Sequence, residues 1–327
     1  MPRSPTPRTL ADVGEFGLID RIERRARRVS GARVRLGIGD DAAVLRPAPG
    51  FEVVLTTDTL VEDVHFRFAT ESARSIGRRA LVANLSDLAA MGARPIGFTC
   101  ALQAPPTLPL SRVDALFEGL LAEAAVHGAP LVGGNVARAR ETSLAISAVG
   151  EVEQGRALSR SGLRPGDRLF ATGRFGAAAL AVARAERTGR MIRHRPTPRL
   201  EAGRALVRSR LCSACIDCSD GLAADLVHML EASGVGAEID ADAVPRARGV
   251  VAGARALGLD PDALCLAGGE DYELIFGLRP RSRRGRGGLP SAAALERRLG
   301  TVVTELGSVT AMPGLRGVPA IAGHTHF

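Results

Sequence analysis

The sequence of 327 residues contains no lysine, because all 43 of its basic residues are arginine. A Walker A loop requires a Gly-Lys-[Ser/Thr] segment, and a protein kinase requires a lysine on one of its strands. Both of these nucleotide sites are therefore excluded. If the protein handles phosphate groups, metal ions and backbone groups must neutralise their charge.

Other absences restrict the class of protein further. No apolar run approaches the roughly 18 residues that span a bilayer, and residues 1–9 lack the apolar segment of a signal peptide. We therefore expect a cytoplasmic protein with no membrane partner. The chain has no Trp and one Tyr, so aromatic platforms for nucleic-acid bases are nearly absent. We expect no nucleic-acid partner in spite of the net charge of +8, which favours small anions such as nucleotides.

Three of the five cysteines, Cys212, Cys215 and Cys218, have a spacing similar to that of iron–sulfur ligands. A cluster needs a fourth ligand, for which only the distant Cys100 and Cys265 are available. The alternative is that these cysteines are small buried apolar residues, since they lie in a stretch typical of a strand. We favour this second interpretation.

The length predicts roughly two domains. Glycine and proline make residues 159–167 the best candidate for a linker, and we assign residues 1–150 to an N-terminal domain and 151–327 to a C-terminal domain. Helical and strand periodicities alternate in both halves, which predicts an α/β (α+β) fold. Predicted helices cover residues 18–29, 71–91, 110–127, 177–187, 200–208, 221–232, 250–257 and 291–299, and predicted strands cover residues 51–55, 95–102, 143–149, 169–172, 213–217, 237–239, 272–278 and 302–309.

Carboxylates recur at the ends of apolar runs, and Asp40, Asp220 and Glu270 each lie directly beside a glycine. Oxygen ligands suit Mg²⁺, which usually binds one or two carboxylates plus substrate phosphates. Each position also has a simpler explanation, such as a turn at Asp40, a strand end at Asp58 or a turn at Glu270. Asp87 lies within an apolar stretch, where a carboxylate is costly unless it is paired or bound to a metal. Jointly, these positions favour a site for several magnesium ions.

The segment Asp217-Cys218-Ser219-Asp220-Gly221 is predicted to be a strand, a turn and the start of a helix. In an extended chain the side chains of Asp217 and Ser219 point to one side. Asp220 is expected near the helix start, where free N–H groups favour its own carboxylate or a metal-bound phosphate. The alternative is helix capping, which Ser and Asp favour, but capping does not account for Asp217.

In series, these motifs resemble the thiamine-monophosphate kinase family. The matching segments run in the family's order along essentially the whole chain: Gly14-Glu15-Phe16, Gly37-Ile38-Gly39-Asp40-Asp41, Thr57-Asp58-Thr59 with His65-Phe66, Asn84-Leu85-Ser86-Asp87, Gly133-Gly134, Arg160-Ser161-Gly162, Asp217-Cys218-Ser219-Asp220-Gly221, Gly268-Gly269-Glu270-Asp271 and the closing Gly323 with His326-Phe327.

The resemblance implies direct in-line transfer of the γ-phosphoryl group of ATP to thiamine monophosphate, assisted by several Mg²⁺ ions and without a covalent catalytic residue. It also implies the fold of aminoimidazole ribonucleotide synthetase, selenophosphate synthetase and a hydrogenase-maturation protein. In that fold the N-terminal domain binds ATP and Mg²⁺, and its sheet forms a barrel at the interface of a homodimer. The C-terminal domain is an α/β sandwich that completes the active site.

Site residues are carried over from the resemblance position by position. The implied metal ligands are Asp40, Thr56, Thr57, Asp58, Asp87, Asn135, Asp217 and Asp220. The implied ATP contacts are Phe117, Gly134, Asn135, Arg160 and Ser219. The implied contacts to thiamine monophosphate are His65, otherwise a candidate structural histidine, and Glu270.

Two departures from the family pattern leave alternatives open. Asn135 stands where the family has Asp, and His324 stands where an aromatic residue is usual. A relative that acts on another acceptor, and a weakly active nucleotide-binding protein marked by Asn135, are the competing interpretations. The Arg/Gly-rich segment 279–288 is predicted to be a mobile surface loop, with an RNA contact as the alternative.

Overall fold

A computed structural model describes residues 8–29, 31–280 and 288–318. The chain divides into two compact units. The first unit takes its described residues from Met1–Asn84 and Pro95–Glu151, and the second from Leu85–Arg94 and Val152–Phe327. The mixed α/β class is confirmed by the helices and sheets of both units.

The first half of the chain contains three helices and six strands among its described residues. They are α1 (Leu10–Ala26), β1 (Val34–Leu36), β2 (Val44–Leu45), β3 (Phe51–Val61), α2 (Ala73–Ala90), β4 (Arg94–Ala104), α3 (Leu110–His127), β5 (Leu131–Arg138) and β6 (Ser143–Glu153). Strands β3, β6, β4 and β5 form one sheet in that order, with β4 and β5 parallel. Strands β1 and β2 form a separate antiparallel pair.

Helix α3 illustrates why these elements form. Val113, Leu116, Leu120 and Ala124 recur at helical spacing and are all buried, which gives the helix one apolar face. The chain leaves the helix at Gly128, as the sequence predicted. Burial of that face anchors the helix in the first unit.

The second half of the chain is built around a six-stranded sheet of order β12-β9-β11-β7-β10-β8. Its elements are β7 (Arg168–Thr172), α4 (Ala177–Thr188), α5 (Leu200–Ser209), β8 (Cys212–Asp217), α6 (Leu222–Ser233), β9 (Gly236–Ile239), α7 (Val250–Ala256), α8 (Pro261–Leu266), β10 (Leu274–Leu278), α9 (Ala292–Leu299), β11 (Val303–Thr310) and β12 (Gly314–Arg316). Strand β12 pairs with β9 in parallel, whereas β7 pairs with β10 and β11, β10 with β8, and β11 with β9 in antiparallel fashion. Every residue of β10 is buried, because this strand lies between β7 and β8.

Two cysteines on β8, Cys212 and Cys215, and one directly after it, Cys218, lie in the second unit. Cys215 and Cys218 are fully buried, and Cys212 is half-buried. Burial raises the pKa of the Cys218 thiol well above its ordinary value. The prediction that these residues are buried apolar side chains is confirmed for Cys215 and Cys218.

Several predicted boundaries were wrong. Strand β3 continues to Val61, so Thr56, Thr57 and Asp58 lie within the strand rather than at its end. Strand β5 likewise runs through Gly134 and Asn135. The polar residues 56–58 predicted the end of β3. A strand at the edge of a sheet tolerates polar residues and glycine, because one side of its backbone is unpaired.

Among the described residues, no helix combines the length and the apolar character needed to cross a membrane. Residues 281–287 and 319–327 lie outside the described residues. The predictions for the loop 279–288 and for His324 therefore remain predictions.

Candidate functional site

A cavity of about 660 Å³ in the first unit brings together four of the predicted site residues. Asp40, Phe117, Gly134 and Asn135 all belong to its lining. Asp40 and Asn135 are exposed, whereas Phe117 is buried. The structure therefore joins the turn after β1, helix α3 and strand β5 around one space.

The cavity is acidic. Helix α1 contributes Phe16, Asp20 and Glu23 to the lining, and the turn after β1 contributes Asp40 and Asp41. Among the described residues that line the cavity there is no arginine, although arginine is abundant in the chain. Such a cavity repels bare phosphates and favours a nucleotide that carries metal ions.

Gly134 allows a close approach of two strands at this cavity. A Cβ atom at position 134 would lie 2.0 Å from the carbonyl oxygen of Cys100 on the neighbouring strand β4. A side chain is therefore excluded here, and the backbone of β5 lies directly at the cavity wall. The glycine predicted from the motif has a steric reason in this structure.

The three predicted ligands on β3 do not share one side of the strand. Side chains alternate along a strand, so Thr56 and Asp58 point to one side and Thr57 to the other. The Thr57 hydroxyl donates to the carbonyl oxygen of Ile146 at 3.0 Å and lies 3.0 Å from the Ser147 hydroxyl. Within the first unit, Thr57 is thus engaged with strand β6.

His65 follows strand β3 and has a defined tautomer. Its Nδ1 accepts a hydrogen bond of 3.1 Å from the backbone N–H of Val61. In a neutral imidazole the ring proton then resides on Nε2, which becomes a donor. Buried Arg79 donates to the His65 carbonyl oxygen at 2.7 Å and pairs with Glu71 at 2.8 Å. The hydrogen bond from Val61 therefore fixes the orientation of the ring.

In the second unit, strand β8 ends at the buried carboxylate of Asp217. The Ser86 hydroxyl donates a hydrogen bond of 2.8 Å to its Oδ2, and both residues are buried. One oxygen of Asp217 is oriented by this bond. A neighbouring hydroxyl that orients a carboxylate is a common arrangement around metal ligands.

The turn after Asp217 is held by a carboxylate that the sequence did not single out. Oδ2 of Asp225 accepts from the backbone N–H groups of Ser219, Asp220 and Gly221 at 3.0, 3.0 and 3.1 Å. Helix α6 begins at Leu222 and has no side-chain cap. The capping explanation for Ser219 and Asp220 is therefore wrong, and the N–H groups of residues 219–221 are bonded to a carboxylate of the protein itself.

Burial raises the pKa of Asp225 to about 6, and the nearby carboxylate of Asp220 adds to this increase. The three N–H groups of the turn act in the opposite direction. Capping of helix α6 does not account for the carboxylate of Asp220. This leaves a ligand role for Asp220 consistent with the geometry.

Glu270 lies in a strained segment beside this turn. Its φ is 64°, and that of Tyr272 is 51°, a backbone region that non-glycine residues rarely adopt. The Glu270 N–H donates to the Ser219 carbonyl oxygen at 2.8 Å, and the Tyr272 N–H donates to that of Cys218 at 2.9 Å. The unusual backbone conformation is thus fixed against the turn after β8.

Asp271 anchors the same segment to the start of helix α4. Its carboxylate accepts from the N–H groups of Gly176 at 2.7 Å and Ala178 at 3.3 Å. Burial raises the pKa of Asp271 to about 7, and the nearby Glu273 also raises it. The buried carboxylate therefore holds the segment that carries Glu270.

The two remaining predicted residues are placed separately in the second unit. Asp87 is half-buried near the end of helix α2, directly after Ser86. Arg160 is exposed in the segment that precedes β7.

The donor set fits magnesium. Among the described residues there is no group of three or more His, Cys, Asp or Glu side chains arranged to hold a metal ion. Magnesium usually needs only one or two carboxylates, because substrate phosphates and water complete its shell. The predicted ligands are all oxygen donors, and the buried Oδ1 of Asn84, one turn before Asp87, has no hydrogen-bond partner. These residues suit a hydrated hard cation that arrives with a nucleotide.

Asp225 is the main functional candidate that sequence reasoning missed. It lies within an apolar stretch, Leu222-Ala223-Ala224-Asp225-Leu226, and the argument applied to Asp87 applies to it equally. The signal was therefore present. What the sequence did not reveal was the set of N–H groups that Asp225 binds.

Comparisons with known proteins agree with this geometry. The family model "AIR synthase related protein, N-terminal domain" matches residues 39–152, and the corresponding C-terminal domain model matches residues 164–270. Thiamine-monophosphate kinase from Mycobacterium tuberculosis is 37% identical over 273 residues, which cover 82% of this chain and 81% of that protein.

Solved structures give the same result. The crystal structure of thiamine-monophosphate kinase from Stenotrophomonas maltophilia K279a has a TM-score of 0.78 and 35% identity, covering 93% of this chain and 96% of that one. The structure of AaThiL complexed with AMPPCP and TMP has a TM-score of 0.73 and 27% identity, covering 99% of this chain and all of that one. The chain therefore belongs to the thiamine-monophosphate kinase family of enzymes.

Proposed function

We propose that this protein transfers the γ-phosphoryl group of ATP to thiamine monophosphate, giving thiamine diphosphate and ADP. The observation that carries the proposal is the turn after β8. It offers the carboxylates of Asp217 and Asp220 while its own N–H groups are already bonded to Asp225. The complex of the related AaThiL with AMPPCP and TMP supports the choice of substrates.

The proposed transfer is direct and in line. The acceptor phosphate is already ionised at neutral pH, so the reaction needs positioning and charge neutralisation rather than a general base or a protein nucleophile. His65, through its Nε2–H, and Glu270 would bind thiamine monophosphate. The proposed ATP contacts are Phe117, Gly134, Asn135, Arg160 and Ser219.

Magnesium, when bound, would neutralise phosphate charge that no lysine neutralises in this chain. The proposed ligands are Asp40, Thr56, Thr57, Asp58, Asp87, Asn135, Asp217 and Asp220. Ser86 would orient Asp217, and Asn135 would offer a carbonyl oxygen without charge. The acidic cavity of the first unit supports binding of nucleotide and metal together.

The domain roles follow the expectation from the sequence. Residues 1–150 would form the ATP- and magnesium-binding and dimerisation domain, and residues 151–327 would form an α/β sandwich that completes the active site. Strand β3 supports a homodimer closed by a barrel, because Phe51, Val53 and Leu55 are exposed on one side of this edge strand. The cytoplasmic location stays a prediction.

The test is an assay of purified protein with ATP, Mg²⁺ and thiamine monophosphate, with the thiamine species resolved by chromatography. We expect thiamine diphosphate and ADP in equal amounts, and no product in the presence of EDTA. Binding of ATP without product would overturn the proposal. It would favour another acceptor, or the weakly active protein that Asn135 suggests.

A variant tests the metal assignment in the same assay. Asp87→Ala should abolish turnover without changing thermal unfolding, because it removes a proposed shared ligand. Glu201→Ala is the matched control, since Glu201 is an exposed helical carboxylate paired with Arg204 in the same unit. Full activity of Asp87→Ala would contradict the metal assignment.

A further inference from the structure

Asp225 lies one turn inside helix α6, but it does not bind the N–H groups of its own helix. Its Oδ2 accepts hydrogen bonds from the backbone N–H groups of residues 219–221, which precede the first helical residue, Leu222. The side chain is 2% exposed. A single buried oxygen thus fixes three consecutive backbone positions of the turn.

Three convergent backbone N–H groups of this kind form a concave site that binds anions in other proteins. Here the chain fills that site with its own carboxylate. A phosphate therefore cannot reach these N–H groups, and the turn can act on a substrate only through its side chains. This matches the proposed function, in which magnesium ions bound by side chains take part of the phosphate charge.

The turn is also held from its other side. The Ser219 carbonyl oxygen accepts from the Glu270 N–H at 2.8 Å. A Cβ atom at Gly269 would lie 2.3 Å from this same oxygen, so the strained segment packs against the turn without a side chain between them. With Asp225 on one side and this segment on the other, Ser219 and Asp220 have little freedom.

We propose that Asp225 is the positioning residue of the phosphoryl-transfer site. By occupying the N–H groups of the turn, it directs the side chains of Ser219 and Asp220 toward the metal–nucleotide complex. This inference rests on the proposed function, because it takes Asp217 and Asp220 as magnesium ligands. Asp225 itself touches neither substrate nor metal.

The experiment measures affinity rather than turnover. Magnesium-loaded AMPPCP is titrated into the wild type, Asp225→Ala, Asp225→Asn and Asp225→Glu by calorimetry at several magnesium concentrations. Loss of an outer-shell partner typically weakens metal affinity by about 10–100-fold. We expect a decrease in this range for Asp225→Ala, and a smaller one for Asp225→Asn, whose amide oxygen still accepts hydrogen bonds.

Asp260→Ala is the matched control. Asp260 caps helix α8 by accepting from the Asp262 N–H at 3.0 Å, and it is exposed. Its loss should lower thermal stability and leave nucleotide affinity unchanged. A structural role alone would make the Asp225 variants behave like this control.

Unchanged affinity in folded Asp225→Ala would overturn the inference. If that variant does not fold, Asp225→Glu decides, since it keeps the charge but displaces the oxygen by one methylene. We expect about a tenfold loss of affinity for it, and wild-type affinity would be contrary to the inference. Thiamine monophosphate, the proposed phosphoryl acceptor, is absent from this titration. The measured affinities therefore do not depend on whether the proposed reaction occurs. That reaction fails separately if thiamine diphosphate is not formed.

Discussion

The hydroxyl of Ser86 donates a hydrogen bond of 2.8 Å to Oδ2 of Asp217, and both side chains are buried in the second unit. Ser86 lies near the end of α2 and Asp217 at the end of β8, 131 residues later in the chain. The bond occupies one oxygen of the carboxylate and orients the other. This hydrogen bond therefore fixes the orientation of the carboxylate that we propose as a magnesium ligand.

Removal of this hydroxyl should weaken metal binding more than it weakens the fold. We expect Ser86→Ala to reduce magnesium affinity and kcat by about tenfold, as for other outer-shell partners. A magnesium titration of turnover, with thermal unfolding in parallel, measures both effects. Ser143→Ala is the control, because it removes a hydrogen bond of 2.9 Å to Gln103 in the first unit. Equal effects of the two variants on magnesium dependence would contradict the assignment.

A substitution at Asn135 tests whether magnesium affinity can be raised instead of lowered. Asn135 lines the same acidic cavity as Asp40, and as a proposed ligand its amide oxygen would bind magnesium without neutralising the charge of the ion. Asn135→Asp should preserve or raise magnesium affinity and lower the concentration needed for half-maximal activity. The measurement is a magnesium titration of AMPPCP binding.

Two comparisons make the Asn135 result specific. Asn135→Ala should lose magnesium affinity, since it removes the amide oxygen. Asn84→Asp makes the same amide-to-carboxylate change at a second asparagine of the chain for comparison. Weaker magnesium binding in Asn135→Asp would show that the position does not ligate the metal.

The elements predicted best were those with a strong periodic pattern. Helix α3 was predicted with its observed bounds, because a full apolar stripe precedes Gly128. Helix α8 was missed because it has six residues, too few for periodicity to appear. Its signal was local, with Asp260 as cap and Pro261 at the first position.

The site was only partly accessible from the sequence. Motif matching singled out Asp217 and Asp220, but it could not reveal that Asp225 binds the backbone N–H groups of residues 219–221. The segment Gly269-Glu270 shows the same limit. In this segment the left-handed conformation is expected at a glycine, but Glu270 adopts it. Gly269 is required for a different reason, which is the close approach of the Ser219 backbone.

Asp271 predicts a defined dependence of stability on pH. Burial raises its pKa in the folded protein to about 7 from 3.8, so the folded state holds a proton that the unfolded state has released. Between about pH 4 and pH 7 the free energy of unfolding should therefore fall as pH rises. Asp271→Asn keeps an acceptor for the Gly176 N–H but has no proton to lose. As pH rises from about 4 to about 7, the free energy of unfolding of Asp271→Asn should therefore increase relative to that of the wild type, as measured by urea denaturation.

Asp114→Asn is the control, because the stability that Asp114 contributes should change with pH in the opposite direction. The hydrogen bond from Arg21 lowers the pKa of Asp114, so this carboxylate stabilises the fold at neutral pH and loses its effect as pH falls. The stability difference between this variant and the wild type should shrink in acid. A difference for Asp271→Asn that does not change between pH 4 and pH 7 would contradict the assigned pKa.

Strand β3 predicts the assembly state. Phe51, Val53 and Leu55 alternate along this edge strand and are 37%, 56% and 69% exposed. Such an apolar edge is a liability in a monomer and typical of a surface that pairs with another chain. Leu55→Arg should therefore convert a homodimer into a monomer, as measured by sedimentation velocity. Val126→Arg, at a residue 74% exposed on α3, should leave the dimer intact. A wild-type monomer at micromolar concentration would contradict the proposed interface, and so would a dimeric Leu55→Arg.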